Sequence, residues 1–180
     1  MRRVARVGIF VCDMGELFGD WVPREWQDAV FEIIQRCPNH RFYLLTKQPQ
    51  NLVKFSPFPE NCWVGVSVIA NGPMTLALTN LAHIQASKRF ISFEPLLGSI
   101  GMSDHMSMKG IVDWVIIGAQ TKPYNPPRLE WVREIVVAAD KAGIKVFLKD
   151  NLWPLFNGSQ SVPLWGFDKD SRFRQEFPKE

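Results

Sequence analysis

The stretch Arg89–Gly98, RFISFEPLLG, starts as a buried strand and ends on a carboxylate. Phe90, Ile91 and Phe93 are core residues by type. Glu94 is not, and Pro95 behind it has no N–H to give a sheet ladder, so pairing stops there. Side chains alternate across a strand, so Ile91 and Phe93 share one face while Ser92 and Glu94 share the other. The first face suits a layer of helices. The second, polar towards its end, suits the inside of a barrel or a cleft.

The same division repeats outward along the chain. VARVGIFVCDM (4–14), RFYLLTK (41–47), CWVGVSV (62–68), DWVIIGAQ (113–120) and KVFLKDN (145–151) are further β-rich apolar runs. Helical spacing appears in 23–37, where Pro23 suits the first turn, in 74–87, and in 126–143, where Pro127 opens and Gly143 closes the pattern. PQNLVKF reads as a short helix or turn. Alternating strands and helices predict an α/β fold with a parallel sheet of about six strands and crossover helices. That leaves an open sheet or a partial TIM-like barrel. No G-x-G-x-x-G follows a strand and no G-x-x-x-x-G-K-S/T occurs, which counts against the common nucleotide-binding open sheets. The expected division is a barrel domain over 1–153 and an irregular, partly packed tail over 154–180 ending in a loose RQEFPKE.

The 180 residues fit one domain, and 46% hydrophobic content excludes disorder as the main state. A net charge of +3, from 21 basic and 18 acidic residues, is too small to argue for nucleic acid, which stays open only as a minor reading. Cys12, Cys37 and Cys62 are odd in number and far apart, so neither a disulfide framework nor a metal site is expected. His40, His83 and His105 are scattered. The short apolar run at the N-terminus lacks a cleavage site, and no stretch reaches the length of a membrane span, so a cytoplasmic protein with no membrane contact is expected.

In parallel α/β folds ligands bind at the carboxyl ends of the strands. The residues there are Asp13, Thr46 and Lys47, Ser67, Ser92 and Glu94, Gln120, and Lys149, Asp150 and Asn151. All but Asp150 and Asn151 form the candidate ligand-binding set; no catalytic residue is assigned. On the last strand Val146 and Leu148 would face helices while Phe147 and Lys149 face inward. Lys149 and Glu94 are then expected to meet, since a partly buried carboxylate needs a partner. Solvated strand ends would give the same residue pattern. Lys47, Lys122 and Lys149 would instead hold a phosphate if they converge on one cavity.

The blocks FVCDMGELFGDWVP, RFYLLTKQPQNL, NCWVGVSV, RFISFEPLLG, DWVIIGAQTKPYNPP and VFLKDN resemble, in that order, successive blocks of a phage- and prokaryote-associated family of uncharacterised proteins. That family is similar to the radical SAM enzymes. The resemblance implies a partial (β/α) barrel and, for full-length relatives, a 4Fe–4S cluster and S-adenosylmethionine. In those relatives a cysteine-rich motif precedes the FVCDM-type strand, whereas Cys12, Cys37 and Cys62 do not reproduce its close triplet. The resemblance therefore implies a radical SAM-like half-barrel with no cluster of its own, binding an adenosyl or anionic small molecule. It also implies an exposed sheet edge, covered by a missing N-terminal segment or in a homodimer. A non-catalytic interaction protein and a phosphate-binding enzyme are the alternatives on this fold.

Overall fold

The apolar runs form six parallel strands in the computed structural model, which describes residues 5–102, 107–157 and 163–179. They are β1 (Gly8–Val11), β2 (Arg41–Thr46), β3 (Cys62–Ser67), β4 (Lys88–Phe93), β5 (Trp114–Ile117) and, after a hairpin of β6 (Gln120–Thr121) and β7 (Tyr124–Asn125), β8 (Lys145–Leu148). The strand order is β1-β2-β3-β4-β5-β8, each parallel to its neighbours. The sheet curls into a half-barrel. The crossovers run through α1 (Arg24–Arg36) after β1, a 3-10 helix over Pro49–Phe55 after β2, α2 (Met74–Ala82) after β3 and α3 (Leu129–Ala142) before β8; α4 (Trp153–Asn157) follows β8. Gly143 ends α3 at φ 72°, the left-handed conformation that closes a helix. Among the described residues no helix is long and apolar enough to cross a membrane.

Alternation divides the two faces as the sequence predicts. Phe42, Leu44, Val64, Val66, Ile91, Phe93, Val115, Ile117, Val146 and Leu148 point outward into one core with Ile34, Leu81, Val132 and Ile135 of the helices. Tyr43, Trp63, Phe90, Trp114 and Ile116 point inward and form a second cluster with Leu45 and Phe147. Gly65 makes that inner layer possible. A Cβ there would stand 2.4 Å from the Phe90 ring, which lies across the glycine. These rings fill the interior at that level of the sheet, and the inward positions beyond them, Ser67 and Ser92, border open space at the carboxyl ends of the strands.

Three segments differ from expectation. The β4–β5 ladder ends with the Gly118 N–H donating to the Phe93 carbonyl (3.0 Å), because the Asn151 amide then takes both the N–H and the C=O of Ala119 (3.0 Å each). Gln120 therefore opens a hairpin instead of ending a strand of the main sheet. β8 likewise stops at Leu148, and Asp150–Leu152 is a 3-10 turn. His105 lies outside the described residues.

Residues 174–177, which begin the RQEFPKE segment, are not loose. The Leu148 N–H donates to the Arg174 carbonyl (2.8 Å) and the Glu176 N–H to the Val146 carbonyl (2.9 Å), with an antiparallel bridge between Phe147 and Gln175. Trp114 Nε1–H donates to the Glu176 carbonyl (2.8 Å), and the Phe177 ring packs against Trp114 and Phe147 at 5.2 and 5.3 Å. Arg174, 11% exposed, forks onto Asp140 (3.1 and 2.5 Å) and donates Nε–H to Glu176 (3.1 Å). The tail thereby covers the free edge of β8 and the floor of the inner layer.

Asp140 is 48% and Glu176 27% exposed beside the fork, so its removal costs charged hydrogen bonds at a site that water already reaches. We expect Arg174→Met to lower stability by about 2 kcal/mol in urea unfolding. The Leu148 amide should then exchange faster while that of Ile91, in the middle of the sheet, is unchanged. An unaltered Leu148 amide would mean that Arg174 does not hold the tail strand.

Candidate functional site

The carboxyl ends of the strands surround a cavity of about 810 Å³, a size suited to a small-molecule ligand. Asp13, Thr46, Lys47, Ser67, Ser92, Glu94 and Lys149 all line it. Gln120 does not; the hairpin carries it away from the mouth. A cavity of about 540 Å³ also lies along α3, where Glu130, Arg133, Glu134 and Lys141 of that helix are joined by Lys109 from the loop before β5. At the strand ends polar groups converge from β2, β3 and the segments that follow β1, β4 and β8.

Glu94 follows β4, Lys149 follows β8, and β5 runs between them. Their side chains nonetheless meet, with Lys149 Nζ 2.6 Å from Glu94 Oε1. Gly118 lets them close over β5. A Cβ at that position would sit 2.9 Å from Glu94 Oε1 and 3.0 Å from its Cδ. The lysine side chain is 42% exposed and the glutamate 28%, so the pair stabilises the fold by about 1 kcal/mol or less. Beside it, Ser67 and Ser92 are register partners on the inner face, 9% and 3% exposed. Among the described residues neither serine hydroxyl has a hydrogen-bond partner, and both border the cavity.

The opposite wall is the loop between β1 and α1, and its organiser is Glu16. Oε1 accepts hydrogen bonds from Thr46 Oγ1 (2.7 Å) and the Phe18 N–H (3.1 Å), and Oε2 accepts from the Lys47 N–H (2.9 Å). Gln27 and Asn51 donate to the carbonyls of Leu17 and Phe18, anchoring the same loop from α1 and the 3-10 helix. Thr46 also accepts from the Gln48 N–H (2.8 Å). Its hydroxyl is thus committed to the wall on both sides, whereas the Lys47 and Asp13 side chains are exposed at the rim. Sequence reasoning passed over Glu16 and Gly118. The one local signal for Glu16 is a carboxylate just ahead of the buried pair Leu17–Phe18, in the first strand-to-helix loop. The cavity is completed on the β1–β2 side by Phe10, Val11 and Leu45, with Phe10 stacked on Tyr43 at 4.9 Å. One wall is apolar and the other polar and charged.

The cysteines do not make a cluster site. Cys12 follows β1 at the mouth, Cys37 caps the end of α1, and Cys62 starts β3 at the opposite end of the sheet. Burial pushes the Cys62 thiol up to about 12. Burial, reinforced by the Asp13 and Glu16 carboxylates, also raises Cys12, which keeps it a protonated thiol at neutral pH. Among the described residues no three His, Cys, Asp or Glu side chains are grouped to hold a metal ion. Lys122 sits in the hairpin and does not line the cavity, so two of the three lysines considered for a phosphate converge there.

Because the Glu94–Lys149 pair closes over Gly118, a methyl group on that glycine and the loss of the lysine should remove the same interaction. We expect Lys149→Met and Gly118→Ala each to destabilise by about 1 kcal/mol or less. The double variant should fall short of their sum, read from urea unfolding as a double-mutant cycle. Strict additivity would show that Gly118 acts independently of the pair.

A family model described as a protein of unknown function, DUF5131, matches residues 1–159. No curated protein and no solved structure gives a significant match. The matched span takes in every strand of the half-barrel and every residue that lines its mouth, and the chain belongs to the DUF5131 family.

Proposed function

We propose that this chain binds a small molecule combining an apolar ring system with a charged amino-acid head, of the kind represented by S-adenosylmethionine, in the manner of a radical SAM-like half-barrel. The observation that carries the reading is the Glu94–Lys149 pair beside two unengaged serine hydroxyls, opposite the apolar wall of Phe10, Val11 and Leu45. Lys149 offers an ammonium to a ligand carboxylate. Glu94 accepts from an amine or from ribose hydroxyls, and Ser67 and Ser92 donate or accept beside it. Phe10 and Leu45 give a flat ring a dry surface. The mouth holds three carboxylates (Asp13, Glu16 and Glu94) against two ammonium groups (Lys47 and Lys149), an excess that favours a cationic centre such as a sulfonium. In radical SAM enzymes an iron–sulfur cluster supplies an electron to such a ligand. Cys12, Cys37 and Cys62 are not grouped to hold one.

The reading is tested by calorimetric titration of the chain with S-adenosylmethionine, S-adenosylhomocysteine and adenosine. We expect S-adenosylmethionine to bind most tightly. Glu94→Gln or Lys149→Met should weaken it at least tenfold, about 1.4 kcal/mol, with no more than the loss in stability of about 1 kcal/mol expected from breaking the pair. Absence of binding for all three compounds would sink the proposal.

A further inference from the structure

The charged side chains that line the cavity are Asp13, Glu16, Lys47, Glu94 and Lys149. Of these, Glu94 and Lys149 pair with each other at 2.6 Å, and among the described residues neither has a second hydrogen-bond or ion-pair partner. Both carboxylate oxygens of Glu16 are taken by Thr46, Phe18 and Lys47. The backbone around the pair is engaged as well. Gly118 donates to the Phe93 carbonyl and accepts from the Leu96 N–H, and the Lys149 N–H donates to the Ile117 carbonyl, at 3.0 Å each. Asn151 takes both polar groups of Ala119. At Gly118 no side chain stands between Glu94 and Lys149, and a Cβ there would meet Glu94 Oε1 at 2.9 Å. A ligand head arriving over this glycine meets the two side-chain charges, because these backbone groups are already occupied.

We propose that the Glu94–Lys149 pair selects a zwitterionic head, an α-amino-acid group whose ammonium and carboxylate enter together, and rejects heads bearing only one of the two charges. The inference rests on the ligand class proposed above and adds the rule by which the head is chosen. A ligand carboxylate that takes Lys149 must part it from Glu94. A ligand ammonium that takes Glu94 must part it from Lys149. A head with one charge therefore exchanges one ion pair for another and leaves a protein charge to water. With the two side chains 42% and 28% exposed, the pair lost and the pair gained are of similar small worth, so the exchange gains almost nothing. A zwitterion exchanges one pair for two and leaves no charge over. The internal pair thus acts as a competitor that each half of the head must displace, which is selection against the incomplete ligand. Asp13 and Lys47 do not substitute for the displaced partner. They follow β1 and β2, and β3 and β4 separate those strands from β5 and Gly118.

Calorimetric titration of the full chain with four compounds of one scaffold tests the rule. S-adenosylhomocysteine carries both charges, its decarboxylated amine and its deaminated acid carry one each, and 5′-methylthioadenosine carries neither. We expect S-adenosylhomocysteine to bind about tenfold more tightly than the other three, which should lie within about threefold of one another. The variants should invert the preference for single charges. Lys149→Met frees Glu94, so it should bind the decarboxylated amine about fivefold more tightly than the wild type does, while binding S-adenosylhomocysteine more weakly. Glu94→Gln should make the same gain for the deaminated acid. A gain in affinity cannot come from a variant that fails to fold. If affinity for the wild type rises stepwise with each charge, or if neither variant gains its singly charged ligand, the selection rule is overturned while binding at the mouth stands. If none of the four compounds binds the wild type or either variant, both fall.

Discussion

The aromatic layer on the inner face of the sheet is the constraint on which the mouth depends. A half-barrel has no opposite wall to fill its interior, so the inward side chains must fill it themselves. Tyr43 meets Trp63 edge to face at 5.5 Å, and Trp63 meets Trp114 in the same way at 5.7 Å. Each ring so buried contributes about 2–3 kcal/mol by removal from water, and the edge-to-face contacts add about 0.5–1.5 kcal/mol apiece. The Arg41 guanidinium lies 4.1 Å from the Trp63 ring, and Phe177 packs on Trp114. The layer gives way to Ser67 and Ser92 one inward position further along β3 and β4. Beyond that level the inward positions carry polar groups and face open space, so a ligand has access from the carboxyl side.

The Glu94–Lys149 pair gains meaning from how little it does for the fold. Two side chains exposed to this extent hold each other with about 1 kcal/mol or less. An apolar pair closing over Gly118 would seal the mouth as well and cost less desolvation. What the charged pair supplies is a donor and an acceptor of opposite sign at one point, beside two serine hydroxyls with no other described partner. That is a recognition surface for a molecule bearing both signs of charge. A sealed core would have no use for it.

Much of this was legible in the sequence because the pleat of a strand fixes which side chains share a face. Ile91 and Phe93 against Ser92 and Glu94, Val64 and Val66 against Trp63 and Ser67, and Val146 and Leu148 against Phe147 and Lys149 are all local facts of period two. Together they bring Glu94 and Lys149 into one mouth. The failures all lie where a distant residue decides. Gln120 leaves the sheet because Asn151 claims Ala119 from 32 positions away. The tail is ordered by Arg174 reaching Asp140 across 34 positions, and Glu16 serves Thr46 and Lys47 at separations of 30 and 31. Alternation on β2 groups Thr46 with Phe42 and Leu44 on the outer face. It is at the mouth for its bond to Glu16, which no local pattern announces.

The residues just after β8 show why the mouth, the hairpin and the tail behave as one structure. Lys149 reaches Glu94, Asp150 accepts from Gln175 of the tail at 2.6 Å, and Asn151 holds Ala119 at the base of the hairpin. Tyr124 of the hairpin returns a hydroxyl hydrogen bond to the Asn151 carbonyl at 3.0 Å. Three consecutive side chains thus serve three different parts of the molecule from a single 3-10 turn. Whatever draws on the Lys149 ammonium acts on the turn that also fixes the tail strand and the hairpin, and by linkage those contacts act back on the lysine with equal free energy. The tail, which looks like an appendage in the sequence, is therefore part of what aims the charged group at the mouth.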